Sequence, residues 1–150
     1  MFIGLLLIFC LLIVLGLGFS FKLASDSRSM DVSVGINDSR LTPCPSSPNC
    51  VSSDETSEDS HYIAAIADQD GSSWMSLVEK VSALEGASLV VSNDEYAHFT
   101  FTTKLMRYMD DVEFHHRPLQ GEIAVRSASR VGQGDMNANR DRIEIIRSIL

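Results

Sequence analysis

The sequence predicts an α+β fold: a small antiparallel sheet of about four strands with two helices, after an N-terminal transmembrane helix. Three observations predict it. Residues 1–21 are apolar and uncharged, strand-like segments joined by short turns follow residue 87, and one amphipathic helical pattern stands on each side of those segments. We therefore expect a transmembrane or signal-anchor segment at 1–21, a flexible tether at 22–40 and the α+β domain at 41–150.

Length and charge limit the classes of function. The chain has 150 residues and a formal net charge of −8, which suits one compact domain plus an anchor. A general nucleic-acid binder needs clustered Lys and Arg side chains opposite phosphates, so we expect no nucleic-acid partner. A local basic patch remains possible in the C-terminal region, at Arg126, Arg130, Arg140, Arg142 and Arg147.

The N-terminal segment from Met1 to Phe21 carries no charged side chain. A helix needs about 20 apolar residues to cross a bilayer, so this run predicts a single-pass membrane protein. The alternative is a cleaved signal peptide, with Gly16 or Gly18 near the cleavage site. No Lys or Arg precedes the run, however, and the run is long for the apolar part of a signal peptide.

The segment after the anchor is rich in Ser and Asp, which predicts a tether with little to bury. It also bears on orientation. Lys22, Arg28 and Arg40 follow the span, and positive charge beside a span favours the cytoplasmic side. The cysteines described next favour the opposite side, and we follow them in expecting a periplasmic or otherwise extracytoplasmic domain.

Two cysteines, Cys44 and Cys50, lie in a short segment that also contains three prolines. A disulfide between them would close a small ring and stabilise the fold by about 2 kcal/mol on the chain-entropy estimate. Two structural thiols, or a metal or redox site, are the alternatives. A disulfide is the interpretation we prefer, and it implies an oxidising compartment.

Apolar stripes at helical spacing predict the two helices. The first opens at Ser72 or Ser73, either of which could cap it, and closes near Gly86. The second begins at Asp135 or Asn137, each a good cap, and runs to the end of the chain. The stripes consist of Trp74, Leu77, Val78, Val81 and Leu84 in the first helix and Ile143, Ile146 and Leu150 in the second.

Alternating side chains and turn residues predict the strands. The four main ones are 88–92, 95–103, 111–117 and 122–127, and residues 61–66 could add a short one. Because short turns connect the four, we expect an antiparallel sheet with the helices on one face.

The densest polar cluster falls where the last strand passes into the last helix. Helix N-termini and arginine side chains both suit anions, so this region is the candidate site for an anionic ligand. Its candidate residues are Arg126, Ser127, Ser129, Arg130, Asp135, Asn139 and Arg140. The alternative is that Arg126 and Arg130 pair within the domain, with Asp110, Asp111 or Asp135, and only hold the loop in shape.

A hydrolase-type enzyme is a further hypothesis. Ser127 or Ser129 could be the nucleophile, His98 or His116 the base, and Asp110 or Asp111 the group that orients the base, although nothing in the spacing requires it. We expect neither a metal nor a cofactor. His115 and His116 are adjacent on a strand and point to opposite faces, and no P-loop or HExxH motif occurs.

Three blocks of the sequence resemble the DUF1499 family, a domain of unknown function. They are PCPSSPNCVSS at 43–53, DDVEF at 110–114, and VRSASRVG at 125–132 followed by Asp135, Asn139, Arg140 and Arg142. The resemblance runs from about residue 41 to the end and implies no activity, because the family has none assigned. We expect a membrane-tethered module of the cell envelope that binds an anionic small molecule or an envelope protein, or a purely structural envelope protein.

Overall fold

A computed structural model describes residues 2–150. This part of the chain forms three helices and eight strands, with four strands between each pair of successive helices. In order they are α1 (Phe2–Ser29), β1 (Ile36–Asn37), β2 (Arg40–Leu41), β3 (Cys50–Ser52), β4 (Ile66–Ala67), α2 (Ser72–Ser82), β5 (Ala87–Ser92), β6 (Tyr96–Thr102), β7 (Met109–Arg117), β8 (Glu122–Ser129) and α3 (Ala138–Ile149). The α+β class is confirmed.

The main sheet is antiparallel and has six strands, in the order β3-β8-β7-β6-β5, with β4 also paired to β8. The expectation of about four strands was wrong. The four long strands match β5 to β8, but β3 and β4 contain only three and two residues. Segments this short show no alternation in a sequence, and they become strands because they pair with the outer edge of β8.

The helices α2 and α3 cover one face of the sheet, as expected, and we call it the helix face. Its core is apolar, and Phe99 and Phe114 meet there edge to face with ring centroids 6.0 Å apart. Leu77 and Val81 of α2 and Ile143 and Ile146 of α3 complete it, all of them fully buried. These are the residues of the two predicted stripes, so helical periodicity placed this core correctly.

The start of α2 differs from the predicted caps, whereas the start of α3 agrees with them in part. Neither Ser72 nor Ser73 caps α2, because the residue before the helix is Gly71 and Asp68 and Asp70 accept the serines' N–H groups instead. At α3 the preceding residue is Asn137, whose side chain makes no capping bond.

Asp135, which precedes α3, caps the first turn of that helix. Its carboxylate accepts hydrogen bonds from the backbone N–H groups of Asn137 and Asn139. Gly86, after α2, has a φ of 83°, and a Cβ there would lie 2.5 Å from the carbonyl oxygen of Thr102. The close approach between the end of α2 and β6 therefore requires glycine.

The first helix is longer than the predicted anchor and enters the segment predicted as a tether. The apolar part of α1 has a mean hydropathy of 2.8 and none of it is buried, so by length and composition it could cross a membrane; a signal sequence would pass the same test. Its last turns lie against the domain, where Ala24 and Ser27 are buried. Residues 36–41 then form the β1–β2 hairpin. Residues 22–40 thus contain regular structure that their composition did not predict.

Candidate functional site

Strand β8 divides the predicted site between the two faces of the sheet. It extends to Ser129, two residues beyond the predicted end at Ser127, so Ser129 belongs to the strand and not to the loop. Successive side chains of a strand point to opposite faces. Arg126 consequently lies on the face away from the helices, while Ser127 and Ser129 lie on the helix face. The seven candidate residues do not form a single cluster.

The face of the sheet that carries Arg126 contains buried charges. We call this face, which lies away from α2 and α3, the ionic face; its charged residues are Asp111, Glu113, Arg126 and Arg130. Glu113 is fully buried at its centre. One carboxylate oxygen accepts from Arg126 Nη1 at 2.7 Å, and the other accepts from the Tyr96 hydroxyl at 2.7 Å and from the backbone N–H of Gly35 at 2.5 Å. Burial, and then the negative charge of Glu113, raise the pKa of Tyr96, so the hydroxyl stays a donor.

The second pair of this face joins Asp111 and Arg130. Arg130 donates through Nε and Nη2, both at 2.8 Å, to the two oxygens of Asp111, which is the bidentate geometry that suits arginine. His98 Nε2 donates to the same carboxylate at 2.8 Å. Burial alone would raise the pKa of Asp111, but the hydrogen bonds from His98 and Arg130 outweigh it and hold that pKa below its usual value.

Arg126 and Arg130 are therefore both paired within the domain. Asp111 was one of the acids named for such pairing, and Glu113 was not. The pairing is possible because β7 and β8 are in register, with Glu113 opposite Arg126. The DDVEF and VRSASR blocks contained a signal that could have identified Glu113. In each block a charged residue stands between apolar or small neighbours of a strand, and opposite charges on adjacent strands favour pairing.

A cleft of about 290 Å³ opens on the ionic face between the sheet and the chain that covers it. Residues 30–34 and 42–45 form its rim, and Asp111, Arg126 and Arg130 line it. Arg126 Nε is buried and has no hydrogen-bond partner among the described residues. A buried donor without an acceptor costs about 1–3 kcal/mol, so an acceptor at this position would stabilise the site.

Residues of the predicted site on the helix face form a closed cluster. The Ser127 hydroxyl donates to Asn139 Oδ1 at 2.6 Å, and Arg142 Nη1 donates to both residues, at 2.9 and 2.6 Å. Arg142 Nη2 pairs with Asp110 at 2.5 Å. The Nδ2 of Asn139 donates to the Ser129 hydroxyl and to Asp135. These bonds hold α3 against the sheet. The polar groups of the cluster are hydrogen-bonded to one another.

The geometry does not assemble the serine, histidine and aspartate of the hydrolase hypothesis. His98 pairs in register with Glu113 and so lies on the ionic face, opposite Ser127. His116 lies on the helix face, near the far end of β7, where it stacks on Trp74 with ring centroids 4.9 Å apart. Its Nε2 is 3.4 Å from Asp68, close enough for an ion pair but not aligned for a hydrogen bond.

Arg140, the remaining candidate, makes no hydrogen bond to either cluster. Its Nη2 donates to the carbonyl oxygen of Ser60 at 3.0 Å, beside a shallow cleft of about 210 Å³ that His61 and Asp135 also line. Partial burial alone would lower the pKa of His61, but the hydrogen bond to Asp59 and other polar neighbours outweigh it and raise that pKa above its usual value.

The disulfide is confirmed: Cys44 and Cys50 are bonded, with their Cα atoms 5.7 Å apart. Because Cys50 begins β3, the bridge fixes residues 42–45 over the edge of the ionic face. Cys10, in α1, is a free and exposed cysteine. Among residues 2–150, no group of His, Cys, Asp or Glu side chains is arranged to hold a metal ion.

A family model described as "Protein of unknown function (DUF1499)" matches residues 40–150, and the chain belongs to this family. The resemblance in the three sequence blocks is thereby confirmed. Comparison with curated proteins and with solved structures gives no match.

Proposed function

We propose that this DUF1499 protein is a membrane-anchored binding module whose cleft on the ionic face takes a small molecule bearing a single anionic group. The observation that carries the proposal is Arg126 Nε, a buried donor without a partner beside a cleft that Arg130 also lines. Buried polar groups are nearly always hydrogen-bonded, and the exceptions often mark a function.

The charges around the cleft limit what it can bind. Two arginines are balanced by two carboxylates, since Arg126 pairs with Glu113 and Arg130 with Asp111. A polyanion such as nucleic acid finds no surplus of positive charge there. One carboxylate or phosphate monoester oxygen, by contrast, can accept from Arg126 Nε while Nη1 stays bound to Glu113.

The ligand reaches this donor when the rim moves. Nε is not exposed to solvent, and the chain over it has no regular secondary structure at residues 30–34. Residues 31–34 make no hydrogen bond to the rest of the described chain, and the first fixed point after them is Gly35. A segment held this loosely opens at low cost, so binding and the ordering of residues 31–34 are coupled.

The anchor and the disulfide support a location at the cell envelope. The apolar helix α1 is long enough to cross a bilayer, and its last turns pack on the domain. The Cys44–Cys50 bridge favours an oxidising compartment and so supports a domain outside the cytoplasm. A ligand would then come from the envelope or its surroundings.

Thermal unfolding of the full chain in detergent micelles tests the binding. Probe compounds are acetate, lactate, methyl phosphate and glycerol phosphate, each well above its dissociation constant. A ligand at a hundredfold excess over its dissociation constant stabilises a protein by about 2.7 kcal/mol, which is easily measured. Arg126→Lys should abolish the shift, because lysine keeps a charge for Glu113 but has no Nε.

The matched control is Arg142→Lys, on the helix face, which should unfold earlier but keep the ligand-induced shift. Absence of a shift with every probe overturns the proposed binding. A shift that survives in Arg126→Lys places the ligand elsewhere on the protein.

A second candidate function, the binding of an envelope protein, rests on a different observation. Strand β5 is the edge of the sheet and exposes three consecutive apolar side chains, Leu89, Val90 and Val91, at 43%, 56% and 45% of their surface. An unprotected edge can accept a strand from a partner. Crosslinking in native membranes should then recover a partner that is lost in Val90→Lys, and a partner retained in that variant contradicts an edge-strand interface.

A further inference from the structure

The path of the chain before the domain indicates which end of the sheet faces α1. The Ser27 hydroxyl accepts from the backbone N–H of Met109, at the start of β7. Gly35 then bonds Glu113, in the middle of the strand, and Ser39 accepts from Arg117 at its end. The chain thus advances along β7 from its Met109 end, where the last turns of α1 contact the sheet.

The loop between β6 and β7, residues 103–108, lies at this end and next to α1. Arg28 donates to the carbonyl oxygen of Arg107 at 3.1 Å. Leu105, in the middle of the loop, leaves 85% of its surface exposed. Its counterpart is Leu119, 97% exposed in the turn between β7 and β8 at the opposite end of the sheet. The nine residues of β7 separate the two turns, by about 26–30 Å at 3.3 Å per residue.

Basic side chains gather at the end that carries α1, although the chain as a whole has a net charge of −8. They are Lys22 and Arg28 in α1 and Lys104 and Arg107 in the loop. Lys22 and Lys104 form only exposed pairs, with Asp26 and Glu85. Arg28 and Arg107 have no acidic partner within ion-pair distance in the described part of the chain. Exposed pairs of this kind contribute little to folding.

We propose that the loop 103–108 rests on the lipid surface, with Leu105 among the headgroups and the basic side chains on anionic lipids. An exposed apolar residue between basic ones is the usual composition of an interfacial contact. Each Lys or Arg near an anionic bilayer adds about fivefold to membrane affinity. Together with the contact of α1 at Ser27, this loop determines the orientation of the sheet relative to the membrane. This inference rests on the proposed membrane anchor.

Tryptophan fluorescence of the full chain in lipid vesicles tests it. Three single variants carry a reporter: Leu105→Trp in the loop, Leu119→Trp in the distal turn, and Ile13→Trp within α1. The wild type, whose single tryptophan is Trp74, supplies the background. The vesicles are phosphatidylcholine brominated on its acyl chains, either alone or with an equal amount of phosphatidylglycerol.

We expect bromine to quench Ile13→Trp in both membranes and Leu105→Trp most strongly in the anionic one. Leu119→Trp should behave like the wild type. Adding Lys104→Gln and Arg107→Gln to Leu105→Trp should remove the preference for phosphatidylglycerol.

The two proposals fail in different ways. Quenching of Ile13→Trp without quenching of Leu105→Trp leaves the anchor in place and overturns the lipid contact of the loop. No quenching at any position refutes the anchor and the loop contact together. Equal quenching of Leu105→Trp and Leu119→Trp contradicts the orientation, because both ends of the sheet would then meet lipid.

Discussion

The two faces of the main sheet are built by the same strands and are stabilised in different ways. On the helix face, Phe99, Phe114 and Ile123 are fully buried against α2 and α3, and apolar burial supplies the stability. On the ionic face, Glu113 and Arg126 are buried almost as completely, yet they are charged and depend on one another. Alternation along each strand makes both faces from one sequence.

The difference determines how each face responds to change. Apolar contact is non-directional, so the helix face can tolerate similar side chains in place of its own. A buried ion pair depends on each partner, because removal of one leaves an uncompensated charge. The ionic face also depends on chain that lies before the family match at residue 40, since Gly35 donates to Glu113 and the carbonyl of Ser27 accepts from Arg130.

The largest expected effect comes from Glu113→Gln. The amide keeps the shape but leaves Arg126 buried without a counter-charge, and such a loss costs about 3–5 kcal/mol. Chemical denaturation measures it. The control on the helix face is Ile123→Val, equally buried, for which we expect about 1 kcal/mol.

A double variant sharpens the comparison. Glu113→Gln combined with Arg126→Met removes both charges while the amide oxygen still accepts from Tyr96 and Gly35, and uncharged replacements of buried ion pairs are often neutral or stabilising. We expect the double variant to be more stable than Glu113→Gln. If Glu113→Gln costs no more than Ile123→Val, the two faces do not differ in the way described.

The next effect concerns the disulfide at the rim of the ionic face. Replacing Cys44 and Cys50 with serine should lower the free energy of unfolding by about 2 kcal/mol, because the short closed loop no longer restricts the unfolded chain. Reduction of the wild type should give the same loss, while Cys10→Ser, in α1, should give none. Equal stability of oxidised and reduced protein would contradict this prediction.

A smaller effect is expected where α1 joins the domain. Ser27→Ala removes the acceptor of the Met109 N–H, which should cost about 1 kcal/mol. Ser29→Ala is the control, because its hydroxyl bonds only within α1 and the residue is exposed. Hydrogen exchange at Met109 should also become faster in Ser27→Ala. An unchanged exchange rate at Met109 would argue against the docking of α1.

The sequence predicted the helix face well and the ionic face poorly. Local periodicity identified the stripes of α2 and α3 and the four long strands. In these elements the spacing of apolar residues along the segment itself determines which side chains face the core. The sequence predicted that the last strand ends at Ser127, because the residues after it are small and polar. Its last residues become strand because Cys50 pairs with Ala128, a contact between segments far apart in the sequence.

The division of the candidate residues between two faces was missed because the grouping followed sequence proximity. Arg126 and Ser127 are neighbours at the end of the predicted strand and were grouped with the loop residues as one polar cluster, although adjacent strand residues point to opposite faces. The end of α1 was read as a tether from its Ser and Asp content. Its order comes from contacts of Ser27 with Met109 and Arg130, which no local pattern reveals.

The smallest effect concerns pH and the far end of the ionic face. Burial, and then the charge of Arg117, lower the pKa of His115, whose Nδ1 accepts from Arg117 Nε at 3.2 Å. A histidine with a lowered pKa stabilises the fold fully above about pH 6.5, and this contribution is lost as the pH falls through the folded-state pKa. The unfolding midpoint should therefore fall on mild acidification, and His115→Gln, which keeps an acceptor but does not titrate, should flatten that fall.

His61 gives the opposite sign and serves as the control. Its pKa is raised, so its contribution is complete below about pH 6.5 and is lost as the pH rises through the folded-state pKa. It acts against His115 in the wild type, and His61→Gln should make the acid-side fall steeper. Opposite changes of slope in the two variants would show that the packed ionic face favours the neutral form of His115, while the hydrogen bond with Asp59 favours the charged form of His61. Equal slopes in both variants would mean that neither histidine senses the difference between these two environments.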